Sequence, residues 1–169
     1  MTQLDEDNIQ QWGLTFADKL TMSLKLTINV KDFLMQEMPY QQFIENNNVP
    51  KWISLANEKE FNMPVVTMIS YPCITNCTSH FFSTAVDAAL IKDKDTLSFT
   101  EQFFARHISK MVIDSFKEND LIISFVRDEN RLHLVHPFQE NESITMYQFN
   151  FYISEDHIGE VMICHSNML

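Results

Sequence analysis

Two glycines, Gly13 and Gly159, are all that this 169-residue chain contains, and their scarcity removes whole classes of chemistry. A loop that brings backbone amides against a phosphate needs glycines in close series, because only a residue without Cβ lets the main chain approach that tightly. Neither a P-loop nor a dinucleotide-binding turn can be built from two isolated glycines. Basic residues are also few. Twelve Lys and Arg stand against twenty-three Asp and Glu, a formal net charge of -11, which repels phosphate backbones and anionic lipid surfaces. Nucleic acid is disfavoured as a partner. Long apolar runs are missing too: no stretch approaches the roughly 18 residues that would cross a bilayer. The opening MTQLDEDNIQ has neither the basic start nor the apolar run of a secretory signal. Cys73, Cys77 and Cys164 are an odd number in a chain without an export signal and read as free thiols. Together these absences predict a soluble cytoplasmic protein with no bound cofactor and no direct membrane insertion.

What the chain does have is apolar residues. Hydrophobic residues make up 45% of it and 14 are phenylalanines, enough for one domain spanning 1–169 with a substantial core. The clearest element is Ser98 to Glu118. Phe99, Phe103, Phe104, Ile108, Met111, Val112 and Phe116 recur at three- and four-residue steps, while Gln102, Arg106, Lys110 and Lys117 take the other side. Ser98 with Glu101 reads as a capping box, Asn119 and Asp120 suit the exit, and Lys110 can pair with Asp114. So aromatic a face must be buried, and a sheet is the expected support.

Taken in order, Ile9, Trp12, Phe16, Leu20 and Leu24 predict a first helix from about Asp7 to Lys25, capped by Asp5 or Asp7. Strands are expected at Leu26 to Met35, Trp52 to Asn57 and Pro64 to Tyr71, with a short helical turn at Tyr40 to Asn46. The spacing of Ile74, Cys77, Phe81 and Ala85 predicts a second helix over about Thr75 to Ile91. Beyond Asn119 the pattern is strand: Leu121 to Arg127, Arg131 to Pro137, Ser143 to Ser154 and Glu160 to His165. Glu155 to Gly159 reads as a hairpin turn that uses a positive φ at Gly159. The sum is an α/β or α+β fold, a mostly antiparallel sheet flanked by about three helices. A helix followed by strands in both halves hints at an internal repeat.

Chemistry-bearing clusters are sparse. Cys73, Cys77 and His80 could share one helical face and offer soft metal ligands, although small buried thiols are the simpler reading. His107, His133, His136 and His157 are scattered, and no G-x-S-x-G or paired-carboxylate pattern accompanies them.

One resemblance covers nearly the whole chain. The alternating strand MYQFNFYIS, the turn reaching Gly159 and the segment EVMICHSNML are similar to the end of the middle domain of the flagellar motor-switch protein FliM. Gly159, Ile163, Cys164, Ser166, Met168 and Leu169 stand at matching places, while His165 replaces a proline and Asn167 intrudes. Phe99-Thr100 at the start of the long helix, Phe16-Ala17 with Leu20 and Leu24, the Tyr40/Phe43 segment and Asp87 follow in the family's order. The related cytoplasmic ring proteins of type III secretion share this domain.

The resemblance implies a helix-flanked sheet with internal pseudo-twofold symmetry, as in the CheC and CheX chemotaxis phosphatases. It also implies a scaffold that packs beside like copies, binds other motor-switch or secretion-ring proteins and answers a phosphorylated response regulator. The implied location is the cytoplasmic face of a membrane-embedded base. The family's regulator-binding peptide is faintly echoed in Thr2 to Ile9, and its C-terminal β-domain has no counterpart, as expected of an excised domain or a stand-alone paralogue. The family's Gly-Gly partner loop would fall on Ile91 and Lys92, which makes Ile91, Lys92, Asp93 and Lys94 the implied contact. Phosphatase relatives supply the competing reading, in which an Asn side chain holds the attacking water and an acidic residue sits three positions earlier. Asp7-x-x-Gln10 is the nearest match, Asp5-x-x-Asn8 is expected to precede the helix, and Glu101-x-x-Phe104 cannot orient water.

Overall fold

The computed structural model describes residues 4–59, 62–84, 94–119 and 121–167. Helix α1 (Glu6–Leu24) begins where the Asp5 side chain accepts from the Asn8 amide at 2.9 Å and ends as Lys25 turns left-handed at φ 56. Asn8 therefore lies inside the first helical turn rather than ahead of it. Strand β1 (Ile28–Pro39) runs to the proline that starts α2 (Tyr40–Asn46), and strands β2 (Lys51–Glu58) and β3 (Met63–Ser70) follow. Then come α3 (Tyr71–Phe81), α4 (Phe99–Glu118), β4 (Ile123–Glu129), a 3-10 turn at Leu132–Leu134, β5 (Ser143–Ile153) and β6 (Asp156–Ser166).

The six strands form one sheet in the order β1-β5-β6-β3-β2-β4, every neighbouring pair antiparallel. Exchanging β1 with β4, β2 with β5 and β3 with β6 reverses this order and leaves it unchanged. The internal repeat hinted at by the pattern is thus a pseudo-twofold, with α1-β1-α2-β2-β3 answered by α4-β4-turn-β5-β6. Each half supplies the outer strand that closes the other half's hairpin, so neither half buries its sheet edges alone.

Helices α1, α3 and α4 cover one face of the sheet. Trp12 lies at its centre, 5.3 Å from Phe16, 5.2 Å from Phe116 and 5.3 Å from Phe149, with its indole N–H donating to the Val112 carbonyl at 3.1 Å. Gly13 permits that approach, because a Cβ there would stand 2.3 Å from the Phe149 ring. Each such aromatic removed from water contributes about 1.5–3 kcal/mol. The other face carries Ile53, Val66, Met68, Ile144, Met146 and Met162, covered by α2 and by the segment around the 3-10 turn. These two covers meet where Tyr40, whose hydroxyl burial pushes up to about 12, donates to the Val135 carbonyl at 2.8 Å.

Four local expectations need correction. The second helix starts four residues early, at Tyr71, because Ser70 caps it and Pro72 fits its first turn. It ends at Phe81, with Ser83 left-handed at φ 54; the remainder of the expected span from Ala85 lies outside the described residues. Arg131 to Pro137 is not a strand: Leu132, Val135 and Phe138 are buried at a spacing of three, which suits a 3-10 path over the sheet and not the two-residue alternation of a ladder. The β5–β6 turn is tighter than expected and runs through Ser154 at φ 55. Gly159 does take a positive φ, 144, but inside β6 at a register shift where α3 presses on the strand. A Cβ there would come within 2.5 Å of the Cys73 backbone. On α4, Asp114 pairs with Lys117 at 3.7 Å instead of with Lys110.

Candidate interaction surface

Helix α4 begins with the expected capping box: the Glu101 amide donates to Ser98 Oγ at 3.2 Å and the Ser98 amide donates to Glu101 Oε2 at 2.7 Å. Glu101 does more than cap. Its Oε1 accepts from Thr75 Oγ1 of α3 at 2.7 Å and from Lys94 Nζ, and the residue is buried. Burial pushes its carboxyl up, but the hydrogen bonds from Lys94, Thr75 and Ser98 outweigh that and hold it below the usual value. One carboxylate thus ties the start of α4 to α3 and to the strand of chain that enters α4.

The aromatic face of α4 is narrower than its sequence suggests. Phe104, Ile108, Met111, Val112 and Phe116 are buried, whereas Phe99 is 84% and Phe103 64% exposed. Positions 99, 103, 106 and 110 form a single strip at steps of four, three and four, so these two phenylalanines share the wet side with Arg106 and Lys110. On the end of α3, Phe81 and Phe82 are also half exposed, their rings 5.1 Å apart, with Phe81 5.1 Å from the buried Phe104. Four phenylalanines therefore open to solvent on the two sides of the α3–α4 connection. The three- and four-residue spacing predicts Phe99 and Phe103 in the core, because both lie near the apolar stripe. The 99-103-106-110 strip was the signal that could have separated them.

The residues singled out from sequence are distributed as follows. Lys94 is held by Glu101 beside this surface, while Ile91, Lys92 and Asp93 lie outside the described residues. Asp7 and Gln10 are exposed on the first turns of α1, and the Gln10 side-chain amide donates to Glu6 at 3.1 Å. Cys73 and Cys77 are buried on the inner side of α3, where hydrogen bonding to Cys77 and burial push the Cys73 thiol up, whereas His80 faces solvent. Among the described residues no three His, Cys, Asp or Glu side chains come together as a metal site. Cys164 packs in the opposite layer. Beneath α4, Ser54 donates to Asp128 at 2.7 Å and lies 3.0 Å from Ser109, which accepts from the Trp52 indole at 2.8 Å. This run of hydrogen bonds satisfies the polar groups under the helix.

No protein-family model matches the chain. No curated protein matches it either. Solved structures do. The chain is similar to a FliM middle domain in a FliG–FliM complex from H. pylori, with a TM-score of 0.79 at 13% identity over 96% of this chain and 94% of that one. It is likewise similar to the FliM middle domain of Vibrio alginolyticus, with a TM-score of 0.75 at 14% identity over 93% and 92%. Chemotaxis protein CheX from Vibrio vulnificus matches at a TM-score of 0.55 and 8% identity over 95% and 98%. Among the described residues no helix is long and apolar enough to cross a membrane. The α+β architecture of this chain, a six-stranded antiparallel sheet with an internal pseudo-twofold, is the fold of the FliM middle domain, which CheX shares more distantly.

Proposed function

We propose that the chain is a non-enzymatic interaction domain, one unit over 1–169, of the motor-switch or secretion-ring kind. It holds a partner protein against the surface around the α3–α4 connection. The observation that carries this reading is the exposure of Phe99 and Phe103 on the first turns of α4 together with that of Phe81 and Phe82 at the end of α3. Apolar area left in water gains free energy only when a partner covers it, at roughly 25 cal/mol per Å². Lys94, fixed by Glu101, borders this surface and supports a role for the Ile91 to Lys94 segment in the same contact. The partner class is a protein of the same assembly, of the kind that FliG is in the H. pylori complex. Packing against like copies, response to a phosphorylated regulator and residence at the cytoplasmic face of a membrane-embedded base belong to the same reading.

The test is titration calorimetry of the purified chain against the rotor-type protein of its own host. Binding is expected, and Phe99→Ser with Phe103→Ser should weaken it at least tenfold, about 1.4 kcal/mol, with the thermal midpoint unchanged. Wild-type affinity in that double variant would sink the proposal. So would accelerated loss of phosphate from a phosphorylated response regulator that disappears with Asp7→Asn or Gln10→Ala, because that result selects the phosphatase reading which the likeness to CheX supports.

A further inference from the structure

A second feature uses none of the exposed phenylalanines. Between α2, residues 95–97, the first turn of α4 and the 3-10 turn is a cavity of about 700 Å³, within the roughly 300–1,000 Å³ that accepts small organic ligands. Its floor is Trp52, Tyr71 and Leu132, all buried. The indole N–H of Trp52 is already spent on Ser109 at 2.8 Å, so Trp52 offers the cavity an apolar ring. Tyr71 differs. It is 4% exposed, and its hydroxyl makes no hydrogen bond among the described residues. Among the described residues no fully enclosed side-chain oxygen or nitrogen goes without a partner, so this hydroxyl keeps some exposure, and Tyr71 lines the cavity.

The rim carries one charge of each sign, Arg131 and Asp95. Neither is in an ion pair among the described residues. Both stand close enough to act on the Tyr71 hydroxyl in opposite senses: burial pushes the phenol up, Arg131 draws it down and Asp95 raises it. The phenol is therefore a neutral donor between an unpaired cation and an unpaired anion, above an apolar floor. A simple anion would meet Asp95, a simple cation would meet Arg131, and a purely apolar molecule would strip water from both.

We propose that this cavity binds a small zwitterion with an apolar side chain, a free α-amino acid or a short peptide. Its carboxylate sits on Arg131 and Tyr71, its ammonium on Asp95, and its side chain against Trp52 and Leu132. The guanidinium fork suits a carboxylate, and a dipeptide uses more of the volume than a single amino acid does. The site shares no lining residue with the partner surface proposed above, although both adjoin the start of α4.

The probes are phenylalanine, leucyl-phenylalanine, N-acetylphenylalanine and phenylalanine amide, titrated calorimetrically into the full chain. Both zwitterions should bind saturably, the tighter one identifying the source, and each blocked compound should bind about tenfold more weakly or worse. Arg131→Gln and Tyr71→Phe should weaken the zwitterions about tenfold and leave the amide unaffected; Asp95→Asn should weaken the amide and leave the N-acetyl compound unaffected. Arg131 and Asp95 are exposed, so their variants keep the fold intact. Absence of saturable binding by either zwitterion up to about 10 mM overturns the proposal, weaker affinities than that being of little consequence for a specific site. Equal affinity for the zwitterion and both blocked forms, or binding indifferent to all three substitutions, overturns it as well.

Discussion

Helices α1 and α4 occupy equivalent places over a sheet that reads the same from either edge, yet they use their aromatic residues differently. In α1, Trp12 and Phe16 are wholly buried and stacked on each other. In α4, Phe104 and Phe116 are buried in the same way, but Phe99 and Phe103 point out from the same helix. Positions 99 and 103 fall on the outward strip of α4 with Arg106 and Lys110, while Phe149, Phe151 and their neighbours fill the sheet face beneath. The first helix thus buries both its aromatics while leaving Leu14 and Met22 exposed, and the second divides its aromatics between the core and a surface. On the proposed reading, an aromatic that contributes nothing to the core but sits beside the α3–α4 connection serves contact with a partner.

The contrast is sharpest at positions 103 and 104. Phe104→Ala, like Trp12→Ala, should cost about 3–5 kcal/mol because each leaves a large hole among rings that cannot all close in. Phe103→Ala should change stability by less than about 0.5 kcal/mol. Urea unfolding of the three variants measures this. If Phe103→Ala costs as much as Phe104→Ala, the division of the helix into two aromatic sets fails.

The equivalent hairpins extend the comparison. In β2–β3 the ladder pairs without a break from Lys51 with Ser70 to Glu58 with Met63, whereas β5–β6 shifts register near Gly159, against which Cys73 of α3 is packed. Gly159→Ala puts a methyl group into the α3 backbone and a Cβ onto a positive φ, and should cost about 2 kcal/mol or more. A melt within 1 °C of wild type would mean that α3 does not constrain this half.

A smaller effect belongs to Glu101. Its carboxyl is held below the ordinary value in the fold, so as pH falls the unfolded chain takes up the proton first. The stabilisation is present above the unfolded value near ~4.3 and is lost as pH drops through the lower folded value. Glu101→Gln keeps the shape and removes the charge that Lys94 meets, and should cost about 1–2 kcal/mol at pH 7. The gap between the two proteins' urea midpoints should close below about pH 4. A gap that stays constant with pH would show that Glu101 acts through its shape only.

How far the sequence carried this depended on whether one period governed a segment. Both long helices, the strands at β2, β3 and β5 and the capping box at Ser98 were legible, because each repeats its own spacing over two or more turns or pairs. The 131–138 segment was not, since Leu132, Val135 and Phe138 answer to a sheet face that exists only after strands from both halves have paired. The cavity was hidden for the same reason: Trp52, Tyr71, Asp95 and Arg131 come from four separate stretches with no common spacing. The proposed partner surface was half legible. Lys94 was singled out, but Phe81 and Phe82 were assigned to a longer helix, and Phe99 and Phe103 to the core.

The smallest expected change in stability is also the one that tests the comparison of the two helices most directly. Phe99→Ser and Phe103→Ser together remove only exposed rings, so the folded chain should unfold within about 0.5 kcal/mol of wild type. Serine is a slightly poorer helix former than phenylalanine's neighbours on the strip require, a difference of a few tenths of a kcal/mol at most. Two exposed phenylalanines are also what make a free surface self-adhesive, so the double variant should stay soluble at higher concentration than wild type, read by light scattering across a concentration series. A gain in solubility with unchanged stability separates the two aromatic sets of α4 completely, and a loss of stability above 1 kcal/mol would return Phe99 and Phe103 to the core that α1 and α4 share.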